Sequence, residues 1–380
     1  MSNWQSALSR WLSAGLIDAA TVERIRAWEV AHGERTGSSR LALIAFGLGG
    51  LLLAAGVLLF VAAHWDDLSP GSRFALVLTM TGVLHVGGAF AARGSAGLAT
   101  TLHAVGTAAF GAGIFLAGQI FNIAEHWPGA LMLWSFGAAI GLALLRDWPH
   151  VLWVAMLVPA WLWGEWIEAH VGWDDWTHLA PAATGSALLA FAYLAAESAD
   201  RSATWRRALS RLGALALIPT AILLGVVNDV APEVPGDLRP ATSTAAIAFA
   251  WSIAIALPFA VAWVLRGRDA LYLLIALAWA LVVVRVNPRS DPGELALYAL
   301  YALGAIGVVM WGLREQQRLA VNIGVLGFAL AIGGFYFSSI FDKLGRSLGL
   351  IGMGVLFIGG GWFLERTRRR LLGRFERSVT

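Results

Sequence analysis

Two groups of residues in this 380-residue sequence are of types that could do chemistry. The first is His64, Trp65, Asp66 and Asp67 together with Gln119, Asn122 and Glu125. Each set ends a Gly-rich apolar run. If the two turns meet, their carboxylates, amides and imidazole line a polar pocket. Aromatic rings beside carboxylates bind sugars or cations, and paired carboxylates can do acid–base work on a glycosidic bond. His126, Glu165, Glu168, His170, Asp174, Asp175 and His178 follow at the same ends of later runs, interleaved with Trp127, Trp161, Trp163, Trp166, Trp173 and Trp176. The competing reading is a membrane interface, where Trp gathers and acidic residues sit opposite the arginines. The second group is His85 and His103, each inside an apolar run, about 12 and 9 Å from the same end at ~1.5 Å per helical residue. Imidazoles at similar depth on consecutive helices could share a hydrogen bond and respond to pH. The alternative is two separate histidines bonded to backbone or hydroxyl groups. Two histidines without a third ligand are weak grounds for a metal.

Other chemistries are excluded or lack their motifs. There is no cysteine, which removes disulfides, thiolate metal sites and Cys nucleophiles. No P-loop, GxGxxG, HExxH or GxSxG pattern is present, and Lys343 is the sole lysine. No cofactor or metal is expected. No carboxylate falls near the middle of an apolar run, so a proton-driven pump lacks its usual carrier group.

The elements that must position these residues are membrane spans. Hydrophobic residues make up 58% and charged residues 13%, more apolar surface than a soluble chain can hide. Leu41 to Ala63 carries no charge and would make about 34 Å of helix, enough to cross a hydrocarbon core of ~30 Å. Eleven more spans are predicted near 73–92, 97–121, 128–145, 150–168, 177–196, 209–228, 241–265, 270–286, 292–313, 319–340 and 347–364. The fold class is therefore all-α, a polytopic transmembrane helical bundle of about 12 helices. Placing both termini inside leaves only Arg73, Arg239, Arg285, Arg289, Lys343 and Arg346 outside, of 27 basic residues. That is the asymmetry the positive-inside rule requires. Glycine pairs such as Gly137 and Gly141 suit close helix packing, and Pro159, Pro219 and Pro258 predict kinks inside spans.

Residues 1–40 read as a short cytosolic helical hairpin, with Trp4, Leu8, Trp11 and Leu12 on one helix, Gly15 as its C-cap and Asp18 as the N-cap of the next. About 40 mostly polar residues before the first span argue against a cleaved signal peptide, so that span stays as an anchor. Residues 41–365 form the transmembrane domain. Residues 366–380 are a basic cytosolic tail whose arginines read as a topology anchor on anionic lipid, not as a nucleic-acid site.

Three stretches carry a resemblance: Gly15–Asp18 in the hairpin, Val61 to Asp66 at the end of the first span, and Gln119 to Phe121 after a Gly-rich span. They resemble DUF2157, a bacterial family of polytopic membrane proteins of unknown function, over roughly residues 1–150. His64 stands where the family commonly has Asn. The resemblance assigns no chemistry. It implies a location in the bacterial inner membrane and, as a partner, a neighbouring membrane protein with a GDYxxLxD motif. Membrane lipids are the other expected partner, and the sequence leaves the oligomeric state open.

Three functions fit. One is a non-enzymatic protein that binds or moves a small or lipid-linked solute. Another is a structural or assembly component of an envelope complex. The third is an outer-face enzyme acting on a lipid-linked glycan. A carrier should show a cavity within the bundle, a scaffold a packed interior, and an enzyme carboxylates converging on a groove.

Overall fold

In the computed structural model the residues described are 8, 11–33, 69–120, 126–170, 179–200, 202–227, 243–287 and 291–340, with single helical positions within 45–59 and 351–362. Most of the predicted first span, 41–63, and last span, 347–364, lie outside them, as does the tail. Every regular element among the described residues is helical. Eight of the stretches are long and apolar enough to cross a membrane. The chain divides into two compact units, residues 1–109 and 110–380, each described by itself.

In the first unit the hairpin turns at Gly15, whose φ of +69° is the left-handed conformation that favours glycine. Helix α1 (Ala19–Gly33) then starts at Asp18, which accepts a hydrogen bond from the Thr21 amide at 2.8 Å. The Thr21 hydroxyl, and after it that amide bond, hold the Asp18 carboxyl below its usual value of 3.8. Leu8 and Val22 are buried, while Trp11, Leu16 and Trp28 are exposed. Helix α2 (Pro70–Ala91) begins on a Ser69 cap with proline in its first turn, where the missing N–H costs nothing. A four-residue turn leads into α3 (Ala96–Ile120), capped by Ser95. The unit boundary falls inside α3.

The second unit continues with α4 (Trp127–Leu145) and α5 (Trp148–His170), packed along each other. Next come α6 (Ala180–Leu194), the short α7 (Ala196–Ala199), α8 (Thr204–Val226) and α9 (Thr244–Arg266). A 3-10 turn, Gly267–Tyr272, leads into α10 (Leu273–Val283). Helices α11 (Asp291–Arg314) and α12 (Arg318–Phe335) form the last described pair. Pro159, Pro219 and Pro258 sit inside α5, α8 and α9, which run on past them as single helices. The predicted span at 270–286 holds only 11 residues of α-helix after its 3-10 entry.

The second unit is organised around α6. Its sequence, APAATGSALLAFAYL, is apolar on every side, and all but one residue from Pro181 to Leu194 is buried. A helix apolar all round belongs in an interior, not at a surface. Helices α8, α9 and α10 pack against it. Leu188 and Leu194 meet Ala214 of α8, Ala262 of α9, Leu273 of α10 and Ala320 of α12 in one core cluster. At 15 residues, α6 is about 22 Å long, short of the hydrocarbon thickness. Its length is compatible with a helix shielded from lipid by its neighbours.

The glycines show how the helices approach. A Cβ on Gly213 of α8 would overlap the backbone of α6 at Ala190 and Leu194. Gly312 and Gly324 likewise meet backbone, at the α11–α12 contact, whereas other glycines receive rings: Phe110 lies on Gly137, Trp134 on Gly111, and His150 on Gly141. The predicted small-residue pair Gly137 and Gly141 thus serves as two sockets for side chains. Gly213→Val should separate α6 from α8 and cost at least the ~1–3 kcal/mol typical of overpacking. A thermal melt of the purified protein in detergent reads this. An unchanged melting temperature would contradict the α6–α8 contact.

Candidate functional site

Of the predicted pocket, His64, Trp65, Asp66, Asp67, Asn122 and Glu125 lie outside the described residues. Gln119 lies on the last turn of α3, with no description of its side chain. Asp174, Asp175 and His178 are also outside, and His170 ends α5 without a described side chain.

Within the first unit, His85 of α2 and His103 of α3 face each other. Their Nδ1 atoms are 3.1 Å apart and their ring centroids 5.4 Å. His103 is buried and His85 half-buried. The contact is reciprocal: a Cβ on Gly88 would stand 2.8 Å from the His103 ring, and one on Gly106 2.9 Å from the His85 ring. Each histidine therefore occupies the space left by a glycine three residues beyond the other. The two helices carry the same spacing, HVGG and HAVG, in opposite directions. That H-x-x-G repeat was the available sequence signal for the pairing. At 3.1 Å one Nδ1 must donate and the other accept. The neutral pair thus holds its rings in different tautomers. A singly charged pair keeps the bond, whereas two imidazolium rings would present two donors to each other and break it.

In the second unit, one end of the α4–α5 pair gathers carboxylates and indoles. Glu165 accepts from the Trp161 indole at 2.8 Å and meets His126 Nε2 at 2.7 Å. Glu168, one turn along α5, accepts from the Trp127 indole at 2.5 Å. His126 is largely exposed and Glu165 partly so, which leaves the ion pair itself worth roughly 0–1 kcal/mol. Both acids are held by indoles that tie α4 to α5 or brace α5 itself. At the other end of the pair, His150 is completely buried, with Nδ1 2.6 Å from Asp147. Asp147 also caps the His150 amide at 3.3 Å.

The most connected polar cluster was not foreseen from the sequence. It surrounds the C-terminal end of α6, where Leu194, Ala195 and Ala196 are fully buried. Gln317, just before α12, donates to the Leu194 carbonyl at 2.8 Å, as does Ser210 of α8. Gln317 also donates to Ser210 Oγ at 2.9 Å and accepts from Ser198. Arg206 donates to the Ala196 carbonyl at 3.2 Å and to the Leu265 carbonyl at 2.8 Å. Arg266 reaches the Ala195 carbonyl, pairs with Glu315 at 2.8 Å, and lies over the Tyr272 and Trp311 rings. Two guanidinium groups at a helix C-terminus also suit its dipole. In sequence these residues lie up to 123 positions apart.

Beside this cluster is a cavity of about 980 Å³, lined from α6, α8, α10, α11 and α12. Its wall is almost wholly apolar and includes Tyr272, Trp279, Tyr298, Tyr301 and Trp311. The Trp279 indole and the Tyr301 hydroxyl donate to the Leu300 and Ile222 carbonyls. Such a volume lies at the upper end of small-molecule sites. Among the described residues, no group of three or more His, Asp or Glu is arranged to hold a metal.

Two outcomes follow. Nitrogen-15 NMR of histidine-labelled protein in nanodiscs should find His85 and His103 in complementary tautomers at neutral pH, and His85→Ala should release His103 from its fixed form. Independent tautomer mixtures in the wild type would contradict the shared bond. Gln317→Leu should lower stability by about 1–3 kcal/mol, because the Leu194 carbonyl and Ser210 each lose a buried partner. A melting curve unchanged from wild type would show that the end of α6 does not depend on Gln317.

No curated protein and no solved structure matches this sequence significantly. Residues 9–151 match the family described as Predicted membrane protein (DUF2157). The match takes in the hairpin from its first helix, α2, α3, α4 and the turn into α5, and it is in keeping with the apolar helices found there. Over residues 9–151, then, this multi-pass membrane protein is similar to the DUF2157 family.

Proposed function

We propose that this chain is a non-enzymatic protein of the bacterial inner membrane, with twelve spans and both termini inside, that binds or moves a small or lipid-linked solute. The observation that carries the reading is the aromatic-lined cavity between α6, α8, α10, α11 and α12. Five helices leave ~980 Å³ between them, a space that a scaffold packed throughout would close, since close-packed interiors leave few voids larger than a water molecule. The apolar wall favours the lipid-linked end of the solute range over a sugar or an ion. The described carboxylates Glu165 and Glu168 support an enzyme less well, because both accept from indoles. In this reading the His64–Asp67 and Gln119–Glu125 turns form a polar recognition pocket on the outer side, and the His85–His103 pair fixes α2 to α3.

An envelope-assembly role is the second reading. It is supported by the hairpin, where Trp11, Leu12, Leu16 and Trp28 are all exposed. A neighbouring membrane protein with a GDYxxLxD motif is the partner proposed for that surface.

Native mass spectrometry of the protein extracted in a mild detergent distinguishes the two. A solute-binding protein should carry a co-purifying molecule of defined mass, released on denaturation. Ala276→Phe, which fills the cavity from α10, should lower its occupancy about tenfold or more. A bare protein, or equal occupancy in the variant, would contradict the proposal.

A further inference from the structure

The cavity's shape and surroundings define the class of its occupant more narrowly, granted the solute-binding reading above. Among the described residues, no charged side chain lines it. On α11 the lining runs from Leu297 to Trp311, about 21 Å of helix, longer than one leaflet's half of a ~30 Å hydrocarbon core. Part of that wall is open to the side: Leu303, Met310, Leu326 and Leu330 line it and are 48–67% exposed. In a membrane those residues face lipid, so the cavity communicates with the bilayer rather than with water. Glycines widen it. Gly307 of α11 and Gly333 of α12 both line the wall, and a Cβ on either would meet nothing within 4 Å.

The two ends differ in charge: Glu294, three and four residues before Leu297 and Tyr298, is acidic, and the other end is basic. Arg314 is exposed at the last turn of α11, three and four residues beyond Trp311 and Met310, so it stands one helical turn below the lining on the same side. Arg318 is exposed at the start of α12, at the same end. Two guanidinium groups there favour an occupant with an anionic head, and the apolar lining favours hydrocarbon for the part that enters. We infer that the cavity holds the long chain of an anionic lipid, drawn in sideways from the leaflet on the Arg314 side, with its phosphate head at Arg314. A head at this position gains charge-assisted hydrogen bonds that a zwitterionic or neutral lipid does not match as well.

The test is photolabelling of the full-length protein in nanodiscs with two chain-diazirine probes of identical acyl chains, phosphatidic acid and phosphatidylcholine, followed by peptide mapping. The expected result is labelling of α11 and α12 lining positions at least about fivefold stronger with the phosphatidic acid probe. Arg314→Gln should bring the two probes to similar yields. Gly333→Leu and Gly307→Leu should each reduce labelling of the lining by both probes while leaving the melting temperature near that of wild type. Excess polyisoprenyl phosphate should compete, and inorganic phosphate should not. If polyisoprenyl phosphate competes better than unlabelled phosphatidic acid, the anionic lipid is a lipid-linked carrier. If it competes less well, the lipid is a phospholipid of the leaflet. Equal labelling by both probes in the wild type would overturn the anionic-head assignment while leaving a hydrocarbon-binding cavity. No labelling of the lining by either probe, with labels instead on the outer helix faces, would overturn occupancy by a lipid chain and leave the search for another solute to mass spectrometry. Crosslinks between the lining and residues 347–364 in place of lipid labels would likewise overturn it, because the chain's own last apolar segment would then fill the space.

Discussion

A buried helix cannot end without partners for its last carbonyls. That constraint governs the second unit of this protein. Helix α6 stops at Leu194 among fully buried residues. The Ala195 amide serves the carbonyls before it and the Ser198 amide of α7 reaches the Ala195 carbonyl, but the Leu194 carbonyl takes its partners from other elements. In a medium of low dielectric each orphaned group costs several kcal/mol. The fold brings the donors to that point. Ser210 and Arg206 come from α8, Arg266 from the end of α9, and Gln317 from the turn into α12. Each side chain fixes one neighbouring element relative to α6. The ion pair of Arg266 with Glu315 then ties the end of α9 to the turn between α11 and α12.

The cavity follows from the same arrangement. The donors gather at one end of α6 and hold α8, α9 and the α11–α12 turn there. Towards that end Phe191 meets both Tyr272 and Trp311 edge-on, those two rings lie tilted at 37° to each other, and the three form the cavity's floor. Along the rest of its length the lining of α11 and α12 is rich in glycine and alanine, including Ala305, Gly307, Gly327 and Gly333, with the Trp279 ring on Gly304. Small residues permit helices to meet closely where they touch, and they leave room where no partner ring arrives. Elsewhere in the protein that room is taken by rings, as with His150 on Gly141 or His85 on Gly106.

Much of the helical layout could be read from the sequence, because hydropathy reports directly on lipid solvation. The predicted runs 73–92, 128–145 and 292–313 differ from α2, α4 and α11 by at most three residues at either end. The caps at Gly15 and Asp18 were legible for a local reason: their signals lie within a few residues of the turn they make. The similar depths of His85 and His103 followed from counting residues, and the H-x-x-G spacing on both helices would have sharpened the pairing. What could not be read is whatever depends on distant contact. Nothing near Gln317 announces that it will cap a helix more than a hundred residues earlier. A hydropathy profile also treats Ala180–Leu194 like any other span, since it cannot tell lipid from protein as the apolar neighbour. The indole-held carboxylates Glu165 and Glu168 were recognised as polar outer-end residues, but their partners depend on how α4 meets α5.

Burial of α6 within a ring of lipid-facing helices is the central claim, and a carbene-generating apolar reagent dissolved in the bilayer measures it directly. Reagent distributed in lipid should mark Leu144, Leu215 and Val264, which are 76–81% exposed. It should leave Ala182–Leu194 unmarked in the intact protein and reach those residues only after denaturation. Labels spread along α6 in the folded state, at yields comparable with those on Leu215 and Val264, would contradict the account.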